Sequence, residues 1–94
     1  MATADILIVE DDAATAYLLE KILRKLEYNV LGTVDTGEKA IEFVEKKQPA
    51  LILMDISLKG KIDGIETSRI IGEKHDLSII YLYSGEYVQS LFWG

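Results

Sequence analysis

Two short acidic stretches hold the residues that could do chemistry, and each directly follows an uninterrupted apolar run. Ile6-Leu7-Ile8-Val9 ends on Glu10-Asp11-Asp12, and Ala50-Leu51-Ile52-Leu53-Met54 ends on Asp55. Short runs of this kind read as strands buried on both faces, the pattern of a parallel sheet. A carboxylate closing such a strand lies at the carboxyl edge of the sheet, where open α/β folds hold their ligands. With the two strands as neighbours, Glu10 and Asp11 come close to Asp55 although they are far apart in the chain. Three carboxylates on one small edge repel each other, and some take up protons unless a cation neutralises them. Mg²⁺ is the hard ion that keeps several waters and accepts one or two carboxylates. The backbone carbonyl of Ser57, just past Asp55, is in reach of the same ion. Such a site suits phosphoryl transfer, where catalysis is mostly positioning and charge neutralisation. Asp55 is then the nucleophile that forms an acyl phosphate. The plainer alternative is solvated surface acids: sixteen of the 94 residues are Asp or Glu, so acids at loop starts are common, and capping alone accounts for Asp12.

The elements that must position these groups follow from periodicity. Ala13 to Leu26 places Leu18, Leu19, Ile22, Leu23 and Leu26 at amphipathic-helix spacing, with Asp12 as N-cap. Val30-Leu31-Gly32-Thr33-Val34 is a weaker strand in which Gly32 marks a bulge or an edge. Thr36 caps a helix from about Gly37 to Lys47 that turns Ala40, Ile41 and Val44 inward with Phe43 beside them, and Gln48-Pro49 ends it. Past Asp55 comes a polar, glycine-bearing loop. Asp63-Gly64-Ile65-Glu66 has capping-box form and opens a helix to about Lys74 that buries Ile65 and part of Ile70 and Ile71. Ser78 to Tyr83 is a fourth strand closed by Ser84-Gly85, and Glu86 to Trp93 could begin a short further helix. Alternating strands and helices with short connections predict parallel strands, right-handed crossovers and helices on both faces. The expected architecture is α/β, a doubly wound parallel sheet, in a single domain spanning residues 1–94. His75 reads as a helix-end or solvent residue, and Gly60, Gly64 and Gly72 lack the spacing of a phosphate-binding loop.

Composition narrows the function classes. A hydrophobic share of 49% with 28% charged residues argues against disorder. The net charge of −6 repels phosphate backbones and disfavours nucleic-acid binding by this chain alone. The lack of cysteine excludes disulfides, thiolate metal sites and a Cys nucleophile, and it fits a reducing cytoplasm. The first residues lack the basic start and apolar run of a signal peptide, and no apolar segment approaches the ~20 residues of a membrane helix. The sequence reads as a soluble cytoplasmic protein with no membrane contact.

Ile6 to Asp12, Leu51 to Asp55 and Asp63 to Glu66, in that order and at those separations, resemble the receiver domain of two-component response regulators. The resemblance covers about residues 6–84. It implies a flavodoxin-like fold with strand order 2-1-3-4, the family's fifth strand and helix being absent before Gly94. It implies that Asp55 accepts a phosphoryl group from a histidine kinase or a phosphotransfer protein. Mg²⁺ would be held by Glu10 or Asp11, by Asp55 and by the Ser57 carbonyl, with Asp11 the more important of the first two. The family places a small hydroxyl residue at the end of the fourth strand. Direct alignment puts Tyr83 there, too large for the role; a register slip of one makes Ser84 the phosphoryl-contacting hydroxyl, and an ordinary turn serine is the competing reading. The family's fifth-strand Lys has no counterpart, and Lys59 and Lys61 lie in the loop after Asp55. That loop also lacks the proline the family often carries.

Without a fifth strand, the apolar fourth strand becomes an edge that invites pairing with another chain. The expectation is a dimer or segment exchange through strand four and the 85–94 tail, with Tyr87, Leu91, Phe92 and Trp93 as contacts. Three functions compete. The first is a phosphoacceptor switch, not an enzyme, whose surface a downstream protein partner reads. The second is a degenerate receiver working as a non-phosphorylated interaction or dimerisation module. The third, a metal-dependent phosphatase-like hydrolase, lacks a second acid or base shortly after Asp55, where Ser57 stands.

Overall fold

A computed structural model describes residues 4–83. The chain alternates β1 (Asp5–Val9), α1 (Ala13–Lys25), β2 (Asn29–Val34), α2 (Gly37–Lys46), β3 (Leu51–Asp55), α3 (Gly64–Lys74) and β4 (Ser78–Leu82). All strand pairs are parallel and the sheet order is β2-β1-β3-β4, the expected doubly wound order. The expectations for Ser84 and for the 85–94 tail fall outside the described residues.

Burial on both faces makes the two central strands. Ile6 to Val9 and Ile52 to Met54 are all buried. By strand alternation Leu7, Val9, Ile52 and Met54 point one way, into a core closed by Ala40 and Val44 of α2, Ile71 of α3 and Leu58 of the loop between β3 and α3. Of the two features expected around Gly32, both occur in β2: it ends the sheet order, and its register against β1 slips by one beside Gly32, which pairs with Leu7 while Leu31 is the bulge.

Each helix starts on the cap the sequence shows. Asp12 accepts from the Thr15 N–H at 3.0 Å, Thr36 from Lys39 N–H at 3.1 Å and Asp63 from Glu66 N–H at 2.8 Å. At the other end of the molecule His75 is less isolated than its sequence context suggests. It closes α3 and joins it to α2, with Gln48 Nε2 at 2.8 Å from its Nδ1 and Glu45 Oε2 at 3.3 Å from its Nε2.

One packing expectation is corrected. Ile65 is 52% exposed; Thr67 and Ser68 are buried in its place, their hydroxyls donating to the carbonyls of Asp63 and Gly64 one turn back. That local bond satisfies a hydroxyl before it enters an apolar layer. In α1 only Ala16 is fully buried, with Leu19 and Leu23 half-buried; Leu18, Ile22 and Leu26 form a neighbouring stripe that stays exposed.

Candidate metal centre

Parallel register assembles the acids. Val9 pairs with Met54, so the next residues along the two strands, Glu10 and Asp55, leave the sheet side by side. Glu10, Asp11 and Asp55 each offer one carboxylate oxygen, and the three oxygens lie within 4.8 Å of one another. Asp55 is only 3% exposed and Glu10 8%, whereas Asp11 is half-buried at the mouth.

Every acid is held from behind. Ser57 donates twice to Asp55 Oδ1, from its N–H at 3.0 Å and its hydroxyl at 3.1 Å. Glu10 Oε2 accepts from the Asp12 N–H at 3.0 Å, and Asp11 Oδ2 from the Lys59 N–H at 2.9 Å. Sequence reasoning placed Lys59 in the right loop but missed this contact, because a backbone donor carries no residue-type signal. Asp12 stands apart. Its carboxyl is held below the usual range by the Thr15 hydroxyl and amide, with a smaller pull from the Lys59 ammonium, so its work is capping.

The cluster is electrostatically frustrated without a counter-charge. Burial pushes the Glu10 carboxyl up to about 7, assisted by a shared hydrogen bond with Asp55 and the charges of Asp55 and Asp11; the Asp12 amide works against the rise. An oxygen-only donor set on one rim, with a proton taken up where a cation is missing, is what a hard divalent ion such as Mg²⁺ fits. Beside Glu10 and Asp11, on the β2 side, an open cavity of about 390 Å³ is floored by Thr33 and Val34 and bordered by the Asp35–Lys39 ion pair.

The opposite wall is set by a close approach. A Cβ on Gly64, the first residue of α3, would collide with the carbonyl oxygen of Asp55, and the Gly64 N–H donates to Ile56 O at 3.0 Å. Within the loop Gly60 takes φ +108°, a left-handed value that favours glycine.

This geometry matches known proteins. The response regulator receiver domain family matches residues 6–90. The receiver domain of PhyR from Erythrobacter litoralis is 32% identical and superposes with a TM-score of 0.83, covering 100% of this chain and 71% of its own. A receiver domain of a modulated diguanylate cyclase from Desulfovibrio desulfuricans is 35% identical at a TM-score of 0.85, over 97% of this chain and 72% of its own. The N-terminal domain of a three-domain response regulator/sensory box/GGDEF protein from Carboxydothermus hydrogenoformans is 36% identical at 0.80, over 92% and 74%. The chain belongs to the receiver-domain family.

Receiver domains are signalling modules of two-component systems, and their acidic pockets bind Mg²⁺. In this receiver Leu82 pairs with Asp55 across the β3–β4 ladder. Tyr83, the residue that direct alignment sets in the hydroxyl position, is 49% exposed. Lys61 is exposed in the loop after Asp55. Among the described residues no helix is long and apolar enough to cross a membrane.

Proposed function

We propose that this receiver accepts a phosphoryl group on Asp55 from a sensor histidine kinase or phosphotransfer protein, and that the modified rim is read by a downstream protein. The observation that carries this is the convergence of Glu10, Asp11 and a nearly inaccessible Asp55 on one small space, with each carboxylate braced by a neighbouring N–H. Glu10, Asp11, Asp55 and the Ser57 carbonyl would hold Mg²⁺, which supplies charge neutralisation for the incoming phosphoryl oxygens.

The chain's own groups do the rest. Ser57 fixes Asp55 Oδ1, which leaves the second carboxylate oxygen to attack phosphorus as the donor's P–N bond breaks. Glu10 would hold that Mg²⁺ ion as a carboxylate, without the proton that burial favours. Ser84, two residues beyond the partner of Asp55 in the ladder, supplies the hydroxyl that contacts the bound phosphoryl group. Drawing that hydroxyl toward Asp55 shifts the surface past β4 between two states.

A second reading, an interaction module that works without phosphorylation, is favoured by β4, which is the last strand of the sheet among the described residues. Ile80, Tyr81 and Tyr83 are 51%, 40% and 49% exposed, and Ile79 to Leu82 carries no charge. Self-association through this edge is compatible with either reading.

Acetyl phosphate with Mg²⁺, followed by intact-mass measurement, tests the proposal. The expected result is one phosphoryl increment, abolished by Asp55→Asn. A chain that binds Mg²⁺ but gains no mass leaves the interaction module; steady release of phosphate without an acyl phosphate points to a hydrolase.

A further inference from the structure

Among the acids of the rim, Asp11 is braced differently. Glu10 and Asp55 are held by amides two residues away in their own turns, and Asp12 by Thr15 three residues away. Asp11 is held from a different loop of the same rim, by the N–H of a residue 48 positions later. It is also the more exposed ligand candidate, so burial alone does not fix its rotamer. The donor, Lys59, lies in the loop of residues 56–63, which is tied down on both sides of it. Leu58 is buried in the core; past Lys59 the chain turns at Gly60 and is anchored by the Gly64 N–H on the Ile56 carbonyl. The side chain of Lys59 is exposed and acts electrostatically on Asp12, so its ammonium and its amide serve different acids.

We infer that the backbone N–H of Lys59 is the positioning group for Asp11, coupling cation binding at the rim to the order of the loop between β3 and α3. The inference rests on the cation site proposed above. Partners in the outer shell of a metal site set ligand orientation, and losing one typically costs 10–100-fold in affinity. The coupling is reciprocal: whatever fixes Asp11 fixes the loop, and whatever frees the loop loosens Asp11. Proline has no backbone N–H to give, so a proline at position 59 could not make this bond. The brace is therefore a property of the residue that stands here, through its backbone.

Two substitutions and one exchange measurement on the 94-residue chain decide it. Lys59→Pro removes the donor and keeps the loop length; Lys59→Ala keeps the donor and removes the ammonium. By Mg²⁺ titration calorimetry, Lys59→Pro is expected to weaken binding by about tenfold or more, and Lys59→Ala by less than about threefold, the scale of one exposed charge. Equal affinities for Lys59→Pro and the parent chain overturn the inference, as does an equally large loss in Lys59→Ala. Should the proline variant fail to fold, amide exchange in the parent and in Asp11→Ala gives the answer. Protection is expected to fall at Lys59 and persist at Ser57, and an unchanged Lys59 rate overturns the brace. If the parent chain binds no Mg²⁺ at all, the cation site itself fails, a result distinct from either outcome for Lys59.

Discussion

On one face of the sheet Leu7, Val9, Ile52 and Met54 lie beneath α2 and α3, sealed by Ala40, Val44 and Ile71. On the other, Ile6 and Ile8 are buried, but among the described residues Tyr17, Leu18, Ile22 and Leu26 are exposed at 46–63%, and Ile80 of β4 is 51% exposed beside Leu53. The acidic rim straddles the two. Asp55 is backed by α3, through Gly64, on the sealed face, whereas Glu10 and Asp11 sit on the turn into α1. The difference teaches that Asp55 is tied to the well-buried side and the remaining ligand candidates to the more exposed one, which is where a brace between loops such as Lys59 to Asp11 has most to do.

Truncation on the sealed face should break the comparison most violently. Ile71 is 2% exposed, and Ile71→Ala is expected to cost about 2–5 kcal/mol by the usual sum of lost transfer energy and cavity. Urea unfolding read by circular dichroism measures it. Next comes Gly64→Ala. The added methyl meets the backbone of Asp55 and Ile56, which cannot swing away as a side-chain tip would, so a loss of about 1–3 kcal/mol or more is expected. Gly72→Ala in the same helix meets nothing within 4 Å and should stabilise by about 0.5–1 kcal/mol. If both alanines behave alike, α3 does not pack on Asp55 as described.

These cases also show what the sequence could and could not disclose. The strand cores were legible because four or five consecutive apolar residues leave no polar face, and the caps because Asp12, Thr36 and Asp63 stand one residue before their helices. The acidic rim was legible for a topological reason: neighbouring parallel strands end together, so Glu10 meets Asp55. Ile65 was expected inside and is not, because apolar character alone does not set the buried face: a bond to the carbonyl one turn back lets the Thr67 hydroxyl go inside instead. Helical spacing marks Leu18, Leu19, Ile22, Leu23 and Leu26 as one apolar face, but it does not say which part of that face is covered. The Lys59 brace is a main-chain bond, invisible to any reading of side-chain types.

A milder test concerns the rim itself. Unfolded, the Glu10 carboxyl ionises near 4.5; folded, it holds its proton to about 7. The folded chain binds the extra proton between those values, so stability contributed at low pH is lost as pH rises through about 7. Unfolding midpoints in EDTA should therefore fall across that window, and Glu10→Gln, which cannot ionise, should flatten the slope. Adding Mg²⁺ at the alkaline end should restore part of the loss, since a ligand that binds only the folded state stabilises it. A slope unchanged by Glu10→Gln would mean that the proton resides elsewhere.

The smallest effect on stability is expected on the open face, and it is the most informative about partners. Ile22→Gln and Ile80→Lys replace exposed apolar groups, so each should change the unfolding free energy by no more than about 0.5 kcal/mol. Association should respond differently. A lysine in the middle of an uncharged edge strand is a device that blocks strand pairing, so Ile80→Lys should shift a self-associating parent chain to monomer in sedimentation velocity, while Ile22→Gln on the helix should not. Dissociation by Ile22→Gln but not by Ile80→Lys would assign the contact to the α1 face rather than to β4. A parent chain that is already monomeric at high concentration would remove the edge as an interface between copies, and leave the open face to partners of a different sequence.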